Sequence, residues 1–157
     1  MLDKRLRVVF VCSGNICRSP MAEKVFAYEL AEAGLTGAVR VSSAGTGGWH
    51  VGSPADDRAA GLLRAEGYQH GHRARQVDAA DLAADLIIAL DRSHQRELRS
   101  MVADPDRVRL LRSFDPAAPP GAEVPDPYYG GSSGFTDVLD MIRASMPGLL
   151  DWVRAHR

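Results

Sequence analysis

The chain contains two cysteines, Cys12 and Cys17, and both fall in one short string, Cys12-Ser13-Gly14-Asn15-Ile16-Cys17-Arg18-Ser19-Pro20. The string follows an apolar run, Leu6 to Val11, and precedes a helical pattern. A strand that enters a helix through such a loop makes an anion site. The carboxyl ends of strands are where open α/β sheets bind ligands. The helix N-terminus adds free N–H groups and about half a positive charge. Arg18 adds a planar fork that suits two phosphate oxygens. A thiol beside such positive potential loses its proton readily. The pattern therefore sets a Cys12 thiolate against Arg18 across a phosphate-sized cradle. That arrangement suits phosphoryl transfer through a covalent intermediate. Cys12 would attack phosphorus in line, with Arg18 and loop N–H groups holding the equatorial oxygens as charge builds. Ser19 is placed to donate to the Cys12 sulfur. Gly14 and Asn15 tolerate the backbone angles of a tight anion loop.

A phenolate such as that of tyrosine, with pKa about 10, leaves poorly and needs a proton donor. Asp126-Pro127-Tyr128-Tyr129 offers one, with a proline to stiffen the segment and two aromatics to wall a pocket and stack on a substrate ring. An Asp-Pro pair alone is usually a turn. Asp126 becomes the candidate acid because the nucleophile upstream requires one. Asp115-Pro116 competes but lacks aromatic neighbours. Trp49 stands on a Gly-rich stretch, 45–54, and is expected to be exposed and to contact a ligand. His50, His70, His94 and His156 read as surface or structural residues.

These groups need a scaffold. Leu6–Val11 reads as a fully buried strand. Val39–Ser43, Leu86–Leu90 and Val108–Leu111 are the further strands. Met21–Ala31 reads as a helix with Met21, Val25, Tyr28 and Leu30 inward, Ser19 as its cap, Pro20 at its first position and Gly34 at its end. Asp56–Glu66 is a second helix, with Ala60, Leu62 and Leu63 as its apolar positions. Ser93–Ala103 is a third, with Asp91 or Ser93 at its cap. Phe135–His156 closes the chain, with Pro147 as a possible kink. The alternation implies right-handed crossovers and a parallel sheet covered on both faces. The stretch 113–134 reads as a long loop, and such loops are usually functional.

A chain of 157 residues fits one domain over 1–157. The net charge of -1 argues against nucleic-acid binding through bulk positive charge. Lys4 and Lys24 are the only lysines among 19 basic residues, an arginine bias typical of high-GC bacterial genes. The N-terminal apolar run is shorter than the roughly 7–15 residues of a signal peptide or the about 20 of a spanning helix. The expectation is a cytoplasmic protein without membrane attachment, with signal-independent export left open. Four-ligand zinc spacing is absent.

The chain resembles the low-molecular-weight protein tyrosine phosphatases of bacterial type. The Cys12–Pro20 string with Val11 before it is similar to their signature, and so is Asp126-Pro127-Tyr128-Tyr129. Ser43-Ala44, Gly48, His72-x-Ala74-Arg75-Gln76 and Asp91 add to the likeness. The resemblance implies a three-layer sandwich: a four-stranded parallel sheet, order 2-1-3-4, flanked by helices. It implies Cys12 as nucleophile, Arg18 as phosphate binder, and Asp126 as general acid and later activator of water. Asn15, Ser19, Ser43 and His72 resemble the network that supports the phosphate loop (Ser13, Gly14, Asn15, Ile16, Cys17, Ser19). Trp49, Tyr128 and Tyr129 resemble the mouth. No metal or organic cofactor is implied. The expected partners are phosphotyrosine proteins, with inorganic phosphate released, and an open mouth points to a monomer. In the family, Cys17 can form a reversible disulfide with the nucleophile; a small packing residue fits the position equally. Two alternatives share the scaffold. An arsenate reductase relays electrons through further cysteines, and this chain holds none beyond Cys12 and Cys17. A protein arginine phosphatase resembles this pattern with threonine where Ile16 stands.

Overall fold

The computed structural model of the chain describes residues 4–157, the Ser132 side chain excepted. Strand β1 (Leu6–Cys12) carries only apolar side chains from Val8 to Val11, and these are fully buried. A run buried on both faces belongs at the centre of a parallel sheet. It pairs in parallel with β2 (Val39–Gly45) on one side and β3 (Leu86–Ala89) on the other, and β3 pairs with β4 (Val108–Leu110). The sheet order is β2-β1-β3-β4, the order that the resemblance implied.

The helices in chain order are α1 (Arg18–Glu32), α2 (Asp57–Ala65), α3 (Ala79–Leu82), α4 (Arg92–Arg99) and α5 (Ser132–His156). The two-residue period of the strands sorts them into two layers. Val8, Phe10, Leu86 and Ile88 pack with Met21 and Phe26 of α1, Leu63 of α2 and Ile142 of α5. Val9, Val11, Ile87 and Ala89 pack with Leu82 of α3 and Leu98 of α4. Among the described residues no helix is long and apolar enough to cross a membrane.

Local departures from the sequence reading have physical causes. Helix α1 begins at Arg18 rather than Met21, and Ser19 does not cap it. The Ser19 hydroxyl is instead drawn to Cys12 and Asn15. The buried stripe of α1 runs through Met21, Ala22, Val25, Phe26 and Leu30. That stripe turns Tyr28 outward, 44% exposed, where its ring meets Tyr68 edge-on. In α2 the buried residues are Ala59 and Leu63. Helix α4 starts at Arg92, capped by Asp91, and stops at Arg99. The long loop is trimmed at both ends, by a 3-10 turn (Leu111–Phe114) and by α5, which starts at Ser132 and continues through Pro147. At Gly148 that helix meets the turn so closely that a Cβ would sit 2.1 Å from the Phe114 carbonyl oxygen.

Candidate active site

The carboxyl end of β1 delivers Cys12, and the N-terminus of α1 begins at Arg18. Between them the backbone turns sharply at Asn15, whose φ is 58°. Asparagine tolerates this left-handed conformation better than most residues. Here its side chain is also fully committed. Asn15 is 0% exposed. Its Nδ2 donates to Ser19 Oγ at 2.9 Å and to Ser43 Oγ at 3.0 Å. Its Oδ1 accepts from the Arg75 N–H at 3.0 Å. Its carbonyl faces His72 Nε2 at 2.7 Å, and a carbonyl can only accept, so the imidazole donates from Nε2. Ser43 in turn donates to Glu23. Burial pushes the His72 pKa down, outweighing the Asn15 carbonyl that favours its charged form.

Ser19 Oγ lies 2.9 Å from Cys12 Sγ. Because this oxygen already accepts from Asn15, its own proton is available to the sulfur; the Ala44 carbonyl, at 3.4 Å, is the more distant acceptor. A second support comes from the opposite face of the sheet. Ser13 Oγ is 2.8 Å from Nε2 of His94, a residue 2% exposed. His94 Nδ1 lies 3.2 Å from Asp91 Oδ1, off the line of a hydrogen bond. Burial pushes His94 down to about 4, against the pull of Asp91. Burial also pushes the Asp91 carboxyl up, but hydrogen bonds from the His94 N–H, Ser93 and Arg18 prevail and hold it at about 2.

Arg18 is 3% exposed, and its guanidinium is held from two sides. Its Nη1 donates to Asp91 Oδ2 and to the Val124 carbonyl, each at 2.9 Å. Its Nη2 is 3.7 Å from Asp126 Oδ2. Asp126 Oδ1 accepts from the Tyr128 N–H at 3.0 Å. Arg18 and Asp126 line a cleft of about 380 Å³ with Cys12, Ser13, Gly14, Ile16, Cys17, Trp49, His50, Tyr128 and Tyr129 in its wall. Trp49 and Tyr129 are 75% and 90% exposed at the rim. Cys17 is buried, and its thiol is pushed up to about 12, first by burial and then by the charges of Asp56 and Cys12. Among the described residues no group of three or more His, Cys, Asp or Glu side chains converges to hold a metal ion.

Residues 7–157 match the family model of the low molecular weight phosphotyrosine protein phosphatases. The chain belongs to this family. It is 60% identical over 149 residues to low molecular weight protein-tyrosine phosphatase A of Mycobacterium tuberculosis, covering 94% of this chain and 91% of the relative. It is 51% identical to the low molecular weight protein-tyrosine-phosphatase of Streptomyces coelicolor, covering 94% and 93%. Among solved structures, YfkJ from Bacillus subtilis superposes with a TM-score of 0.89 at 38% identity, covering 98% of this chain and 97% of that one.

In this phosphatase the predicted residues fall into two shells. Cys12, Arg18, Asp126 and the aromatics line the cleft, whereas Asn15, Ser19, Ser43 and His72 lie behind it. Asp115 stands outside the cleft, where it accepts from the Ala117 N–H in a turn. Of the surface and structural roles that the sequence allowed His94, it takes the structural one, buried with its Nε2 against Ser13 Oγ. His50 also lines the cleft, packed so near Gly14 that a Cβ there would lie 2.8 Å from its ring. Glu23 and Arg58 escaped notice as well. Arg58 makes hydrogen bonds to the Tyr128 and Gly130 carbonyls and to Asp56. No local motif marks an arginine whose partners lie about seventy residues away.

Proposed function

We propose that this phosphatase hydrolyses phosphotyrosine in proteins, with Cys12 as nucleophile, Arg18 as oxyanion binder and Asp126 as general acid. The carrying observation is the buried Arg18, fixed between Asp91 and Val124 with Nη2 directed toward Asp126 at the base of the Cys12 cleft. In the first step the Cys12 sulfur attacks phosphorus. The S–P bond forms, the P–O bond to the tyrosyl oxygen breaks, and Asp126 gives its proton to that oxygen. In the second step water attacks phosphorus while the Asp126 carboxylate takes a proton from it. The S–P bond breaks, the thiolate returns, and inorganic phosphate leaves. Ser19 steadies the sulfur in both steps. Ile16, Trp49 and Tyr128 give the cleft apolar walls that suit an aryl group.

Asn15, Ser43 and His72 hold the loop in its anion-binding shape. Two free thiols fit a reducing compartment such as the cytoplasm, and removal of phosphate from protein tyrosines is a signalling step. Trp49 and Tyr129, exposed at the rim, suit contacts with residues flanking the phosphotyrosine, and the open cleft suits a monomer. Burial pushes the Cys17 thiol up to about 12, and its side chain packs in the core beside Cys12, so a packing role and a reversible disulfide with Cys12 both fit it. Mass spectrometry after mild peroxide decides between them: a Cys12–Cys17 bridge supports the switch, and over-oxidised Cys12 without a bridge supports packing.

The decisive test compares para-nitrophenyl phosphate with a phosphotyrosine peptide. Cys12→Ser and Arg18→Ala should lose roughly a thousandfold or more on both substrates. Asp126→Ala should lose far more on the peptide, because nitrophenolate leaves without a proton. Full activity in Cys12→Ser would end the assignment. Faster turnover of a phosphoarginine peptide would replace phosphotyrosine as substrate.

A further inference from the structure

We infer that Arg58 is a positioning residue for the general acid, acting through a relay that ties the Asp126 loop to the phosphate loop. The inference rests on the assignment of Asp126 as acid. The relay begins inside the phosphate loop, where the Ile16 carbonyl accepts from the Asp56 N–H at 2.8 Å. The Asp56 carboxylate caps α2 and grips Arg58 with both oxygens, accepting from Nε and Nη2 at 3.1 Å each. Arg58 then reaches across the cleft margin. Its Nη1 donates to the Gly130 carbonyl at 3.0 Å and its Nη2 to the Tyr128 carbonyl at 2.9 Å. The guanidinium also lies 4.6 Å from the Phe135 ring centroid at the start of α5, and 5.7 Å from that of Tyr128.

The acid loop has two ends, and each is anchored by an arginine. At Val124 the anchors are the Leu90 carbonyl and Arg18. At Tyr128–Gly130 the anchor is Arg58. Asp126 lies between them, bonded to the backbone of its own turn and 3.7 Å from Arg18. Arg58 does not line the cleft, so it touches neither the nucleophile nor the oxyanion site. Its removal slackens the far anchor and leaves the near one. A general acid must sit within hydrogen-bond reach of the leaving oxygen, and a shift of about 1 Å costs up to a hundredfold in rate. The step that suffers is therefore proton donation, and the loss depends on how badly the leaving group needs the proton.

The test measures kcat on a phosphotyrosine peptide and on para-nitrophenyl phosphate for wild type, Arg58→Ala, Arg58→Lys, Asp126→Ala and the Arg58→Ala/Asp126→Ala double variant. Arg58→Ala should lose about tenfold on the peptide and less than about twofold on the nitrophenyl ester. In the double variant Arg58→Ala should add nothing to Asp126→Ala, because the acid it positions is gone. Arg58→Lys keeps the charge beside Asp56, but its single ammonium cannot span both carbonyls. It should show the same selective loss, smaller in size, and it carries the test if Arg58→Ala does not fold. Equal losses on both substrates, or losses that multiply in the double variant, overturn the inference. If Asp126→Ala itself loses equally on both substrates, the acid assignment fails and this inference falls with it. A selective Asp126→Ala beside a non-selective Arg58→Ala overturns this inference alone.

Discussion

The phosphate loop and the acid loop face each other across one cleft, yet they are held by opposite means. The phosphate loop is fixed from within. Asn15 is fully buried, strained at positive φ, and bonded to Ser19, Ser43, Arg75 and His72. The acid loop is fixed from outside, at its ends, while the Asp126 side chain is 42% exposed and Tyr129 nearly bare. Under the roles proposed for Cys12, Arg18 and Asp126, the contrast follows from the work each loop would do. Oxyanion donors serve only if they are aimed before charge develops. The acid must instead admit a substrate chain and then stand beside its oxygen, which a closed network would prevent.

The sharpest way to break this comparison is Asn15→Ala. It deletes three side-chain hydrogen bonds and leaves alanine in the left-handed region, at a cost of about 4 kcal/mol. Chemical denaturation should show that loss, and kcat should fall roughly a hundredfold on both test substrates because the whole loop shifts. Unchanged stability would mean that the network is dispensable.

The next effect is one of pH. His94 is held at about 4 in the folded state, below its ordinary 6.5, so the unfolded chain binds the proton first. Its stabilisation is whole above pH 6.5 and is lost as pH falls toward 4, by up to about 3 kcal/mol. Asp91, held at about 2 against an ordinary 3.8, extends the loss below that range. Denaturation midpoints measured from pH 7 to pH 4 should fall, and His94→Asn should flatten the curve. A third, smaller effect is Ser43→Ala, worth about 1–2 kcal/mol through Asn15 and Glu23.

Trp49→Ala and Tyr129→Ala probe the open side. Both residues project into solvent, so melting temperatures should stay level while KM for a phosphotyrosine peptide rises a few-fold; unchanged KM would remove both from the mouth. A fall in melting temperature for either would blur the distinction between the two loops.

The inner loop was the more legible of the two because its information is local. Cysteine, arginine and asparagine at fixed spacing, after a β-branched run, name an anion loop with little help from the rest of the chain. The strands were legible for the same reason. Ser19 misled because a serine before proline resembles a cap, while the demand of a neighbouring thiol for a donor is invisible in local pattern. Tyr28 misled because i, i+4, i+7 spacing also fits a residue at the margin of a broader stripe. His94 and Arg58 were hidden because their value depends on partners 81 and about seventy positions away. A single histidine or arginine carries no trace of such distance.

The hydrogen bonds that shape the loop also set a schedule. Asn15 reaches partners 28 and 60 positions along the chain, and Arg18 one 106 positions along. Contacts of that span form late, after the costly closure of long intervening segments. A chain still emerging from a ribosome, or one that has opened at the Val124 anchor, carries Cys12 without the surroundings that arm it in the proposed mechanism. Turnover is thus a report of completed assembly, and recovery of activity after dilution from denaturant should lag behind recovery of helical signal.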